Sequence, residues 1–327
     1  MSRRPTVDSR IAFTVRDESG FEEAALSVFR FQAACCPPYA EYLDLLGVVP
    51  DEVRSVGEIP FLPIELFKTH RVYCGPDEPQ KIFTSSSTTG QTPACHFVAD
   101  LTVYEEAFTR AFEMFYGRPE DISVFALLPN YLEREGSSLI YMADRLIRRG
   151  KGGGFYLHDH EMLLRDLRAC PGPKILLGVS YALWDLAETH PGPLAETVVM
   201  ETGGMKGRRR EMPREAFHAM LCEAFGTNAI HSEYGMAELM SQAYSSGEGV
   251  FRTPPWMRIR TRDLHDPFAP AAPGRPGGVN IVDLANVYSC SFLQTQDLGT
   301  VYEDGSFRIH GRISGSEIRG CNLLVQE

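Results

Sequence analysis

Phe83-Thr84-Ser85-Ser86-Ser87-Thr88-Thr89-Gly90-Gln91-Thr92-Pro93 sets the frame for the whole chain. Lys81-Ile82-Phe83 ahead of it has the texture of a short strand. Six hydroxyl residues in a row, Thr84 to Thr89, cannot build a core. They can turn hydroxyls and backbone N–H groups into one concavity, the way a loop holds an anionic phosphate. Gly90 allows a positive φ, so the loop can close tightly. No G-x-x-x-x-G-K-[ST] pattern is present, and no lysine follows the glycine, so this is not the Walker loop. A solvated Ser/Thr linker has the same composition. The flanks favour a loop inside a folded unit: a strand precedes it, and Asp100 can cap a helix that follows. Leu101, Tyr104, Phe108, Phe112 and Phe115 mark one face of that helix, and Gly117 ends it.

Outward from the loop, short apolar strands alternate with helices. Ile122–Leu128 reads as a strand buried on both faces, and Ser138–Arg149 as a helix. Lys174–Leu177 and Thr197–Met200 are further strands, and Ile230 closes a fourth. Helices are expected over Ala182–His190 and Pro213–Phe225. This alternation predicts an α/β fold, mostly parallel sheets flanked by helices. From Arg252 the texture changes to Pro/Gly-rich and short strand-like pieces, with Asp304-Gly305 as a hairpin turn, so a smaller β-rich lobe is expected. Residues 20–47 read as two helices, and Ile59–Lys68, with two prolines, as an extended segment. One domain is expected, built of 1–80 helical and extended, 81–245 as a nucleotide-binding α/β core, and 246–327 as the β-rich lobe.

The chain has 327 residues and a net charge of −11, which argues against a nucleic-acid partner needing a broad basic face. No apolar run approaches the roughly 18 residues of a membrane span, and the N-terminus lacks a signal-peptide core. Eight scattered cysteines without a C-x-x-C pair suggest neither zinc nor disulfides, and point to the reducing cytoplasm.

Four more stretches carry unusual chemistry. Glu201-Thr202-Gly203-Gly204-Met205-Lys206-Gly207 follows a strand, and its paired glycines let a planar ring come close; an ordinary turn has the same letters. Ser232-Glu233-Tyr234-Gly235-Met236-Ala237-Glu238 is expected between a strand and a helix, with Glu238 in the helix's first turn. A carboxylate there can hold Mg²⁺ or simply meet the helix dipole. Asp297, in Gln294–Gly299, can accept from ribose hydroxyls, and Arg312 suits a phosphate or a ribose. Cys321 lies between Gly320 and Asn322, close to Arg319, a cation that favours thiolate; a packed cysteine is the plain alternative. Gly178-Val179-Ser180-Tyr181-Ala182 approaches a nucleophile elbow, with Asp283 or Asp297 and His310 as partners for Ser180. Its last position is alanine rather than glycine. His96 and His231 are further candidates for acid–base work, with a hydrogen-bonded structural histidine as the favoured reading of each.

In this order the stretches resemble the adenylate-forming superfamily. Ser85–Pro93 is similar to its phosphate loop, Thr202-Gly203-Gly204 to its adenine-side turn, and Tyr234–Glu238 to its Y-G-x-T-E. Asp297 and Arg312 fall at its ribose positions. Phe61-Leu62-Pro63, Phe67-Lys68, Glu201–Lys206, Glu233–Glu238 with Ser241–Tyr244, and Arg319-Gly320-Cys321 look more narrowly like the acyl-protein synthetases of bacterial bioluminescence, relatives of phenylacetate–CoA ligases. The resemblance covers roughly residues 55–325. Ser87 stands where glycine is usual, Ala237 where threonine is, and no lysine follows Pro93. The mobile C-terminal domain of larger members, which bears a catalytic lysine, is expected to be absent.

The resemblance implies ATP-dependent activation of a carboxylic acid, expected to be a fatty acid, as an acyl-adenylate. The acyl group would then pass to Cys321 and on to a protein partner, a reductase or a carrier. ATP and Mg²⁺ are the implied cofactors. Ser85, Ser86, Ser87, Thr88, Thr89 and Gly90 would cradle phosphate. Gly203, Gly204, Tyr234, Gly235 and Met236 would meet the nucleotide, Glu238 the metal, and Lys206 or Lys68 would replace the missing lysine's charge. Three alternatives stay open: a ligase to coenzyme A or a carrier protein that bypasses Cys321, a serine acyltransferase or thioesterase using Ser180, and a non-catalytic nucleotide-binding relative.

Overall fold

The computed structural model describes residues 5–85, 92–129, 136–204, 209 and 212–313. They form two compact units: residues up to 82, 92–103 and from 255 onward make the first, and 83–91 with 104–254 the second.

The chain starts in the first unit with α1 (Glu18–Cys35) and α2 (Pro37–Leu45). Asp17 caps α1 by accepting from the Gly20 N–H at 2.8 Å, and Phe21, Ala25, Val28 and Phe29 form its buried stripe. Pro37 opens α2, where a missing N–H costs nothing. The expected extended segment splits in two. Leu62–Pro63 is a short strand, β1, and Ile64–Lys68 winds into a 3-10 turn because only Pro60 and Pro63 resist helical geometry. Then follow β2 (Lys81–Thr84), β3 (Cys95–Val98) and α3 (Leu101–Tyr116). From Tyr104 onward α3 belongs to the second unit.

The second unit continues as β4 (Ser123–Leu127), α4 (Ser138–Arg149), β5 (Gly152–Tyr156) and α5 (His160–Ala169). Next come β6 (Lys174–Val179), α6 (Ser180–Thr189), β7 (Thr197–Thr202) and α7 (Arg214–Phe225). It ends with β8 (His231–Tyr234), β9 (Ala243–Ser245) and β10 (Phe251–Arg252). β5, β4, β6, β7 and β8 lie side by side and parallel. β9 and β10 extend the edge in antiparallel sense. β4 and β6 are buried along their whole length, as strands covered on both faces must be.

The chain then returns to the first unit as β11 (Met257–Arg262), β12 (Pro276–Asp283), β13 (Phe292–Val301) and β14 (Phe307–Arg312), an antiparallel meander. β1 adds in parallel to the start of β13 through Leu62 and Pro63. The expected α/β fold with a β-rich part is therefore present.

Two local expectations are corrected. Glu238 does not open a helix: residues 235–242 form turns, and the chain comes back as β9. Ser232–Tyr234 is strand rather than post-strand loop. The cause is pairing: Glu233 and Tyr234 are opposite Tyr244 and Ala243, and this ladder takes the residues a helix would have needed.

Candidate functional site

In a parallel sheet, ligand-binding turns gather at the carboxyl ends of the strands. β7 ends at Thr202 and β8 at Tyr234, and the two strands are neighbours in register, Thr202 opposite Glu233. The Gly203-Gly204 turn and the Tyr234-Gly235-Met236-Ala237-Glu238 turn therefore leave the sheet side by side. Gly203 has φ 68°, a left-handed conformation that suits glycine. Tyr234 packs edge-on to Phe251 with ring centroids 5.9 Å apart, and Glu238 is buried. Ser85 follows the end of β2, anchored by the Thr84 N–H donating to the Gly136 carbonyl at 2.7 Å. Ser86, Ser87, Thr88, Thr89, Gly90, Lys206 and Cys321 lie outside the described residues.

The sheet register sorts the side chains behind these turns onto two faces. Gly178, Glu201, Ser232 and Ser245 form one row across β6 to β9; Val179, Thr202, Glu233 and Tyr244 form the adjacent row, on the opposite face. Glu201 is 4% exposed and meets the helices α6 and α7. Its Oε2 accepts from the Ser180 hydroxyl at 2.8 Å, and its Oε1 lies 3.0 Å from Ser232 Oγ and 3.3 Å from His218 Nε2. The Arg214 guanidinium is 3.8 Å away. Burial pushes this carboxyl up, but the His218 hydrogen bond and the Arg214 charge outweigh it and hold it below the usual carboxylate range.

Glu233 faces the other way, toward α3. Its Oε2 is 2.5 Å from Thr202 Oγ1. Burial pushes its acid up to about 7, opposed by the Thr202 hydrogen bond and reinforced by the Glu201 charge. The Glu233 charge in turn raises the phenols of Tyr104, Tyr116 and Tyr244, after burial itself, the largest cause for each. Tyr116 Oη is 3.2 Å from His231 Nδ1, so His231 is a hydrogen-bonded residue, as expected. Two buried atoms here have no hydrogen-bond partner among the described residues, Tyr244 Oη and Gln242 Oε1.

Ser180 is not arranged as a nucleophile. Its hydroxyl is buried, within reach of Glu201 Oε2 and of the Gly203 carbonyl at 3.1 Å. The carboxylate sits between Ser180 and His218, where a catalytic triad has the histidine in the middle. The serine instead ties the start of α6 to the Gly203 turn.

In the first unit, Asp297 on β13 is directly opposite Arg312 on β14, with 3.7 Å between Oδ1 and Nε. Arg312 is 79% exposed at its side chain, so its charge remains available to a ligand. Asp297 is held from below. Its N–H donates to Thr295 Oγ1 at 3.1 Å, and Thr295 Oγ1 donates to the Val279 carbonyl at 2.8 Å. The buried Arg262 guanidinium donates to the Val279 carbonyl, Asn280 Oδ1 and the Thr295 carbonyl at 3.0, 2.8 and 2.7 Å. His96 Nε2 lies 2.9 Å from Asn286 Oδ1, a structural pair. The sequence reading passed over Arg262, and it quoted Glu201 and Glu233 within candidate stretches without giving either a role. Each sits in a strand whose register turns a charged letter inward, and only the pairing partners show it.

Among the described residues there is no cluster of three or more metal-binding side chains. A single carboxylate fits Mg²⁺ all the same, since that ion commonly takes one or two protein carboxylates and fills its octahedron with phosphate oxygens and water. The buried Glu238, in the turn after β8, is the acid that would hold it.

No family model matches the chain, and no curated protein does. Solved structures do. The open conformation of 2-hydroxyisobutyryl-CoA ligase, in complex with 2-HIB-AMP and CoA, matches with TM-score 0.68 at 17% identity, over 91% of this chain and 75% of that one. The chain has the fold of this ligase. ATP-bound MatB from Rhodopseudomonas palustris matches with TM-score 0.54 at 18% identity, over 71% of this chain. An ATP-bound RpMatB–BxBclM chimera gives 0.55 at 18% identity over the same share. The chain spans 47% of the length of each of these two. No helix among the described residues is long and apolar enough to cross a membrane.

Proposed function

We propose that the protein activates a carboxylic acid with ATP and transfers the acyl group to a thiol. A carboxylate oxygen attacks the α-phosphorus, the bond to the β-phosphate breaks, and pyrophosphate leaves with its electron pair. The product is an acyl-adenylate. A thiolate then attacks the acyl carbon and AMP leaves. Covalent transfer divides one hard step into two easier ones. The observation that carries this is the pair of adjacent turns, Thr202-Gly203-Gly204 and Tyr234–Glu238, at the carboxyl ends of neighbouring parallel strands, in a chain with the fold of 2-hydroxyisobutyryl-CoA ligase.

In this proposal the Gly203-Gly204 backbone and Tyr234-Gly235-Met236 meet the base. Asp297 accepts from the ribose hydroxyls and Arg312 meets the ribose or phosphate. The Ser85–Gly90 loop supplies oriented donors for phosphate oxygens. Bound Mg²⁺, held by Glu238, would neutralise phosphate charge. Lys206 is proposed as a further cation, and Cys321 as the thiol that takes the acyl group before a partner protein receives it. A fatty acid is the proposed substrate class, and the cytoplasm the proposed compartment.

The test is acid-dependent exchange of labelled pyrophosphate into ATP over fatty, aryl and hydroxy acids. Exchange with one class and none without acid is expected; ATP binding without any exchange overturns the proposal in favour of a non-catalytic relative. A second acceptor is favoured by the CoA held in the 2-hydroxyisobutyryl-CoA ligase structure. If a hydroxylamine-labile acyl adduct disappears in Cys321→Ser, the cysteine is the acceptor. If that variant still forms acyl-CoA at the wild-type rate, coenzyme A is.

A further inference from the structure

A buried carboxylate needs a reason. Glu201 has one in the two hydroxyls, the histidine and the arginine around it. Glu233 is buried too, and the groups of the described residues that act on it include no cation. They are Thr202 and Glu201 from β7, Tyr244 from β9, and Tyr104 and Tyr116 from α3. Glutamine or methionine would fill this position at lower cost, so an acid here points to a task other than stability.

The geometry shows what the acid touches. One carboxylate oxygen is 2.5 Å from Thr202 Oγ1, the last residue of β7 before the glycine turn. The other lies over Gly235: a Cβ built on that glycine would come within 2.4 Å of Glu233 Oε1 and 3.4 Å of Gln242 Cγ. A side chain here would push the carboxylate, the free end of a flexible glutamate, off this backbone. One acid thus spans both turns that leave the sheet. Beside it are Tyr244 Oη, directly across the ladder, and Gln242 Oε1, neither with a hydrogen-bond partner among the described residues.

We infer that Glu233 is a positioning residue for the nucleotide, holding the Gly203-Gly204 turn and the Tyr234–Glu238 turn at a fixed spacing through Thr202 on one side and the Gly235 backbone on the other. This rests on the adenylate-forming proposal above. It adds a residue that touches neither the base nor the reacting atoms and works through the two turns that do. Neutral Glu233 can share its proton with Thr202. Ionised Glu233 sits near the Glu201 charge with no compensating cation among the described residues, and the spacing relaxes. Nucleotide affinity therefore falls as pH rises through neutrality.

The test uses the full chain with ATP as the probe, measuring binding by calorimetry and acid-dependent pyrophosphate exchange between pH 6 and 8. Glu233→Gln, neutral and nearly isosteric, is expected to stay within about 3-fold of wild type in KM for ATP and to lose the pH dependence; Glu233→Ala is expected to raise that KM by about 10-fold with a smaller change in kcat. Thr202→Val, which keeps the shape and removes the hydroxyl, should follow the alanine variant and serves if Glu233→Ala does not fold. Gly235→Ala should weaken ATP binding in the wild-type background and less so beside Glu233→Ala, because the oxygen it strikes is then gone. Wild-type affinity in both Glu233→Ala and Thr202→Val, additive losses in the double variant, or an unchanged pH profile in Glu233→Gln would each overturn the inference and leave the adenylate proposal standing. A wild-type protein that binds no ATP overturns both.

Discussion

Glu201 and Glu233 sit one strand apart on opposite faces of one sheet edge, and they show two ways of burying an acid. Glu201 is enclosed by donors from α6, α7 and β8, and stays ionised below the usual range. Glu233 has one hydroxyl, three phenols nearby and a like charge, and is pushed up to about 7. The first arrangement fastens helices to a sheet. The second is costly for stability, and it touches both turns that the proposed function assigns to the nucleotide. A satisfied buried charge is thus a fastener, and an unsatisfied one marks a place where function competes with folding.

The largest break in this comparison should come from Glu201→Ala. It strands Arg214, His218, Ser180 and Ser232 together, so urea unfolding should show a loss of about 3–5 kcal/mol, as for other broken buried charge clusters. A loss below about 1 kcal/mol would mean the cluster is no fastener.

The pH dependence comes next, with opposite signs on the two faces. The folded state holds the Glu233 proton more tightly than the unfolded chain, whose value is near the ordinary 4.5. Its contribution is whole below that pH and is lost as pH rises through about 7, on the order of 3 kcal/mol in total. Glu201 is held lower in the folded state, so its contribution is whole above the ordinary value and is lost as pH falls below it. Urea midpoints of wild type and Glu233→Gln should therefore separate progressively from pH 5 to pH 8, the variant gaining, and parallel curves would remove the distinction.

Ser180→Ala should cost about 1 kcal/mol, one hydrogen bond to a carboxylate that keeps its other donors, with exchange activity within a few-fold of wild type. A loss of activity of about a thousandfold would return this serine to the role of nucleophile. The smallest effect belongs to Tyr244→Phe. Removing a buried hydroxyl that has no partner among the described residues should leave stability unchanged or raise it by up to about 1 kcal/mol, measured by the same urea curves.

Much of the fold was legible from periodicity. The strands at Ser123–Leu127, Lys174–Val179 and Thr197–Thr202, and the helices between them, follow apolar runs and caps in the sequence. β5 and α5 were not read, because Gly152-Gly153-Gly154 gives no apolar signal for a strand, and its side-chain contact with β4 rests on Tyr156 stacking on Phe125 at the far end. The helix expected after Glu238 failed because cross-strand pairing with β9 outweighed local preference.

For the site, the ordered letters Thr202-Gly203-Gly204, Tyr234–Glu238, Asp297 and Arg312 could be picked out on chemistry alone. Glycines, a ring, an acid and a guanidinium announce themselves in any order of folding. What each acid experiences could not be picked out. Glu201, Glu233 and Arg262 are charged letters in short strands, and a charged letter in a strand reads as solvent-facing. Register decided otherwise, because a strand shows alternate residues to opposite faces and a single step in pairing decides which face has helices packed on it. Residue types at the strand ends are written in the chain; packing and register set which acid met cations and donors and which was left to hold a proton.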